Sequence, residues 1–122
     1  MPPKDLRQID SSTQAQLLRG HVALAQALMA CEMGIDPVRA AAQDFAHFSE
    51  KNRFHSLASD ARAMGIYLTA TAHNLPVGEM ARLLTLQKQQ VSRWMQRVED
   101  MRDNKGFALM IERAERILGV HS

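Results

Sequence analysis

Apolar residues recur along this chain at intervals of three and four rather than at alternate positions, and that period predicts helices from end to end. The first predicted helix starts at Ser11 or Ser12, either of which can cap it, and runs to about Met33. Leu17, Leu18, His21, Leu24, Ala25, Leu28 and Met29 form its apolar side, and Gly34 stops it. Asp36-Pro37 couples a capping residue to proline at the first helical position, which opens a second helix. Its stripe is Val38, Ala41, Ala42, Phe45 and Phe48, and it ends near Glu50. A polar stretch at 49–53 leads to Phe54–Asp60, which reads as a loop or short helix. A third helix covers roughly 60–73, presents Ala61, Met64, Tyr67 or Leu68, and Thr71, and ends at Asn74. Residues 75–84 and 88–102 form a helical pair. Lys105–Leu118 closes the chain, with Phe107, Met110, Ile111, Ala114, Ile117 and Leu118 on one face and Gly119 as the stop.

The pattern therefore predicts an all-α fold, a compact helical domain of about five to six helices. Three segments follow from it: a flexible arm at 1–11, a helical extension at 12–50, and the main domain at 51–122. The two apolar stripes of the extension cannot both face water, so they pack on the main domain or meet a second subunit or partner. Packing within the chain, with one surface left for protein contact, is the favoured arrangement.

Composition narrows this further. Hydrophobic residues are 46% of the 122 positions but aromatics only 5%, so the core has to be built from Leu, Ala, Met, Ile and Val, which suits helix-on-helix packing. The net charge of +2 is distributed unevenly. Residues 1–60 carry six basic and seven acidic side chains, residues 61–122 nine and six. The interval Arg82–Arg97 holds four cations and no acid, so the second half is the one suited to an anionic partner.

Cys31 is the single cysteine, which excludes an internal disulfide or a thiolate metal cluster, and its apolar neighbours predict a small buried hydrophobe. The opening Met1-Pro2-Pro3-Lys4-Asp5 lacks a signal peptide's apolar run, and no segment is long and charge-free enough to span a membrane. The expected location is cytoplasmic, in association with the nucleoid. His21, His47, His55, His73 and His121 form no metal-ligand spacing, and Glu99-Asp100 and Glu112 with Glu115 read as solvated surface acids. The expectation is no enzyme, no metal and no cofactor.

The informative region is Leu75–Leu84, Thr85-Leu86-Gln87, then Lys88–Arg102. A short helix, a tight connection and a longer helix match the helix-turn-helix in order and scale. Ala81 is small where the two helices would cross, and Met80, Leu84, Val91 and Val98 are spaced to share a core. On the longer helix Val91, Trp94, Met95, Val98 and Met101 cluster on one side, Trp94 as a packing residue. Gln89, Gln90, Ser92, Arg93 and Gln96 are candidates for base contacts, since Arg can bridge guanine's two acceptors, Gln can pair with adenine and Ser can serve either. Lys88, Arg97 and Arg82 are candidates for phosphates.

In these blocks the chain resembles the C-terminal DNA-binding domain of the bacterial replication initiator DnaA, in particular the stand-alone initiator-like regulators of alphaproteobacteria. The resemblance covers Ala61–Leu118. It rests on Ala61-Arg62-Ala63-Met64-Gly65-Ile66-Tyr67-Leu68, on Leu75–Leu84, on Val91 to Val98-Glu99-Asp100, and on Arg102-Asp103-Asn104-Lys105-Gly106-Phe107. It implies a Trp-repressor/DnaA-like fold and a backbone or minor-groove contact by Arg62. The family's Gly-Arg-Asp-Arg/His-Thr-Thr-Val segment aligns with Thr85-Leu86-Gln87-Lys88-Gln89-Gln90-Val91. Lys88 keeps the basic character and Val91 the core position, whereas Gln89 and Gln90 replace both threonines and Leu86-Gln87 the Arg-Asp pair. The basic loop ahead of the Arg62 helix is missing.

These departures argue against the initiator's own origin boxes, and no Gly-rich nucleotide loop is present to drive initiation. The expected function is a sequence-specific double-stranded DNA-binding transcription regulator. By resemblance it would activate phage-like or gene-transfer-agent genes with a second regulatory protein, an architectural DNA-bending factor or RNA polymerase, and a homodimer would enlarge its site. The alternatives are a protein-interaction module on a degenerate DNA-binding fold and a low-specificity nucleoid binder.

Overall fold

A computed structural model describes residues 10–42 and 53–119, and among them the chain forms six α-helices and no strand. They are α1 (Ser11–Glu32), α2 (Pro37–Ala42), α3 (Arg53–His73), α4 (Val77–Leu84), α5 (Lys88–Met101) and α6 (Lys105–Leu118). Outside the described residues lie positions 1–9 of the expected arm, Phe45, His47, Phe48 and Glu50 of the second expected helix, the polar positions 49–52, and His121.

Helix α3 organises the rest. From Ala63 to Ala70 every side is buried, as expected of a helix surrounded by others rather than lying on a surface. It packs most extensively on α1, and also on α5 and α2. The expectation of a single stripe ending in Thr71 is corrected: Thr71 is exposed, while Thr69 and Ile66 on other sides are buried. The Thr69 and Thr71 hydroxyls donate to the carbonyls of Gly65 and Tyr67, four residues back, at 2.8 and 2.9 Å, so their polarity is satisfied within the helix. Of the loop and the short helix left open for Phe54–Asp60 the helix is found, continuous with the third helix, which therefore starts earlier than 60. Ala58 is fully buried there, and the Arg39 guanidinium of α2 lies 4.0 Å over the Phe54 ring.

Helix α1 is capped by Asp10 rather than by Ser11 or Ser12. The Asp10 carboxylate accepts the Thr13 backbone N–H and the Thr13 hydroxyl, each at 2.9 Å. Its inward face is rotated from the one expected: Leu18, Val22, Ala25, Gln26, Met29 and Ala30 are buried, while Leu17 and Leu24 are 55% and 59% exposed. The reason lies in α3. A Cβ added at Gly65 would stand 2.9 Å from the backbone nitrogen of Gln26, so the two backbones nearly touch. The side of α1 centred on Gln26, with Val22 and Ala30 one turn to either side, is the one that meets this crossing. Cys31, one helical step from buried Ala30, is exposed, which corrects its expected burial.

Two polar clusters tie the remaining helices. Arg102, the C-cap of α5, donates at 2.7 Å both to the Tyr67 hydroxyl of α3 and to Glu115 of α6, and Tyr67 in turn donates to Glu99 at 2.9 Å. Burial, then the bond to Glu99, pushes the Tyr67 hydroxyl up from its ordinary pKa. Glu115 is thus a buried ion-pair partner and not a solvated acid, because α6 turns it toward Arg102. Two residues before Glu115, Arg113 of α6 pairs with Glu32 of α1 at 2.8 Å.

Finally, His21 Nδ1 of α1 and His73 Nε2 of α3 stand 2.8 Å apart, with their rings edge to face at 4.9 Å. One proton fits between those nitrogens. Burial first, and the His73 charge second, hold His21 below its ordinary value of 6.5.

Two predictions follow from the α1–α3 seam. Gly65→Ala should destabilise the fold by about 1–3 kcal/mol through overpacking. Gly20→Ala, where the added methyl meets nothing, should stabilise it by about 0.5–1 kcal/mol. Urea midpoints measure both, and equal midpoints would contradict the close crossing. For His21, a pKa lowered by folding means that the unfolded chain takes up the proton first. Stability should be full above 6.5 and fall as pH drops from there toward the lowered folded value. Thermal melts of His21→Gln from about pH 7 to about pH 5 should lose part of that slope.

Candidate nucleic-acid interface

Helix α4 starts after Pro76 and buries Met80, Ala81 and Leu83. It ends at Thr85, whose φ of 57° and ψ of 49° are left-handed, an uncommon state for a β-branched residue. The reversal is closed by Leu86 N–H donating to Ala81 O at 2.8 Å. Gln87 then precedes α5 in extended geometry and makes no side-chain capping bond. The first turn of α5 carries no acid, so its unpaired N–H groups and dipole are offset only by solvent or a ligand.

Val91, Trp94 and Val98 fix α5 against the core, with Met95 and Met101 half-buried beside them. Lys88, Gln89, Gln90, Ser92, Arg93, Gln96 and Arg97 are all exposed, so one helix brings these sequence candidates onto the outer surface. Their engagement differs. Lys88, Gln89, Gln90, Ser92 and Arg93 make no side-chain hydrogen bond or ion pair to another described residue. Gln96 donates to Asp100 at 3.1 Å along the helix. Arg97 is held by Asp60 of α3 at 2.6 Å, and Arg82 by Glu79 at 2.9 Å. Burial raises the Asp60 carboxyl pKa, with Arg97 opposing it.

Arg62 stands apart from this group. It is half-buried, its guanidinium lies 5.4 Å over the Trp94 ring, and burial pushes its pKa down. It lines a cleft of about 300 Å³ between α1, α3 and the end of α4, together with Arg19, Gln26, Ile66 and Leu84. Arg19 is a residue that sequence reasoning missed: its Nη2 donates to the Thr85 hydroxyl at 3.5 Å. The available signal was that α1 holds no other Lys or Arg. The Asp60–Arg97 pair and the Arg102 cluster were missed as well, since nothing in local spacing joins residues 13 to 37 apart.

Among the described residues no group of three or more His, Cys, Asp or Glu could hold a metal ion. Nor is any helix among them long and apolar enough to cross a membrane. No protein-family model, curated protein or solved structure matches the chain.

The left-handed cap gives this surface a direct check. Thr85→Gly should stabilise the fold by about 1 kcal/mol, because glycine adopts this state without a Cβ penalty. A loss of stability in denaturant titrations would show that the turn is not built on a left-handed residue.

Proposed function

We propose that the chain is a sequence-specific double-stranded DNA-binding transcription regulator that reads a duplex with α4 and α5 as a helix-turn-helix. The observation that carries this reading is the outer face of α5. Five polar side chains, Lys88, Gln89, Gln90, Ser92 and Arg93, project from a helix locked by Val91, Trp94 and Val98 and engage no described neighbour. Donors on a fixed helix without partners among the described residues, next to an acid-free helix N-terminus, match the acceptor-rich floor and edges of a major groove. Gln89, Gln90 and Arg93 are assigned to base edges, with Ser92 and Gln96 beside them, and Lys88 to phosphate.

The resemblance to the DnaA C-terminal domain supports the same reading. The position where that family carries glycine is Thr85, and Thr85 is left-handed here. Arg82 and Arg97 serve phosphates only by leaving Glu79 and Asp60, so they rank behind Lys88 and Arg93. By the same resemblance, the regulator acts on phage-like genes together with a protein partner.

Mobility shifts against genomic fragments should reveal a preferred duplex, with affinity falling as salt rises. Arg93→Ala should remove about 1–3 kcal/mol of preference between good and poor sites. Lys88→Ala should weaken both more evenly. Equal binding to all sequences would reduce the protein to a general nucleoid binder. No shift at low salt would leave an interaction module.

A further inference from the structure

We infer that the outward face of α1 is the interface of a homodimer, in which two copies of α1 pack antiparallel about a two-fold axis level with Val22. The inference does not rest on DNA binding and goes beyond the function proposed above.

Three observations carry it. First, α1 has a second stripe on the side opposite Val22 and Gln26. Thr13, Leu17, Gly20, Leu24, Ala27 and Cys31 recur at alternating steps of four and three, the spacing of a seam between two helices. Leu17 and Leu24 are 55% and 59% exposed, and Gly20 and Cys31 are exposed between and beyond them. A Cβ built at Gly20 meets nothing within 4 Å, so the stripe has an open notch between its leucines.

Second, the stripe carries no charge. The charged residues of α1 are Arg19 and Glu32, neither of which lies on the seam, and they engage Thr85 and Arg113. Two such faces meet without burying an ion, whereas an anionic duplex or a charged protein surface finds no counter-charge there.

Third, the sizes match in one register. Antiparallel pairing about Val22 sets each residue opposite the one equally far on the other side of that level. Leu17 then faces the partner's Ala27, Leu24 faces the partner's Gly20, and Cys31 faces the partner's Thr13, with the converse pairs completing the seam. Every layer joins a larger residue to a smaller one, and the register uses the whole stripe. Parallel pairing would instead stack leucine on leucine and leave a void at Gly20. The same sequence run in reverse supplies the alternation that fills the notch, which makes a second copy the occupant.

From Thr13 to Cys31 the seam is about 27 Å long at 1.5 Å per residue. One helix pair of that length lies near the lower bound of specific interfaces, about 1,000 Å², so the dimer is expected at micromolar concentrations. For a chain that reads a duplex, the two-fold brings two α5 helices to one site, which then takes the form of an inverted repeat.

The test is the mass of the full chain in solution, measured by sedimentation equilibrium as its concentration rises. Wild type should pass from monomer to dimer in the micromolar range. Leu24→Glu should weaken the dimer by roughly a hundredfold or more, because each dimer loses two buried leucines and gains two carboxylates. Its thermal midpoint at low concentration should stay at the wild-type value, since Leu24 faces outward in the single chain. Oxidation reads the direction. The two Cys31 thiols of an antiparallel pair stand about 27 Å apart, so wild type should form no disulfide-linked dimer. Thr13→Cys, which keeps the backbone bond to Asp10 and lies opposite the partner's Cys31, should form one. That crosslink decides the matter even where Leu24→Glu fails to fold. A wild type that stays monomeric to about 1 mM overturns the inference. A midpoint lowered by Leu24→Glu would then assign the face to another segment of the same chain, and an unchanged one to a different protein. A dimer that Leu24→Glu leaves intact, or wild-type Cys31 crosslinking as readily as Thr13→Cys, overturns it as well.

Discussion

The near-contact of the α1 and α3 backbones at Gly65 and Gln26 is the constraint on which the rest of this structure depends. Because that crossing is so close, small buried residues lie one turn away on each helix, Ala61 beside Gly65 and Val22 and Ala30 beside Gln26. The buried side of α1 is set by that fit rather than by its leucines. Once α1 and α3 are locked, α5 packs on α3, α4 bridges α5 and α1, and α6 reaches back to α1 through Arg113 and Glu32. An interior of this kind gains stability from many short-range contacts, each small, instead of from a few large aromatic anchors.

Much of the helical plan was legible because helix stops are local. Gly34, Asp36-Pro37, Asn74 and Gly119 act through their own backbone preferences, and α4, α5 and α6 fall within two residues of where the pattern put them. The inner and outer sides of α5 were equally legible, since Val91, Trp94 and Val98 repeat at helical spacing. What the pattern missed was set by distant partners. Hydrophobicity alone puts Leu17 and Leu24 beside Leu18, Ala25 and Met29 on the core side of α1, and the close approach of Gly65 on another helix instead turns Val22, Gln26 and Ala30 inward. Cys31 follows from the same rotation. Glu115 reads as solvated until α6 is docked against Arg102, and Phe54 reads as part of a loop or short helix until Arg39 is seen stacked on it.

The candidate interface divides its cations into two kinds. Arg97, Arg82, Arg102 and Arg113 are committed to carboxylates within the fold, so they hold helices in place. Lys88 and Arg93 have no such partner among the described residues. Exposed pairs such as Arg82–Glu79 contribute little to stability, about 0–1 kcal/mol, and are released at small expense. The pair of Arg97 with the largely buried Asp60 is harder to break, because opening it would strand a carboxylate that water reaches poorly. Counting basic residues along a segment therefore overstates the charge available to a partner.

Trp94 is the chain's one tryptophan, 9% exposed, with the Arg62 guanidinium 5.4 Å above its ring. An indole in that setting is an optical gauge of a single joint. Its emission colour and intensity depend on shielding from water and on the nearby positive charge, both of which change if α5 tilts away from α3. No other tryptophan blurs the signal, and the lone tyrosine sits at the far end of α5 against Arg102. The wild-type protein thus carries, without any label, a light-emitting sensor at the seam between its scaffold and its outward-facing helix.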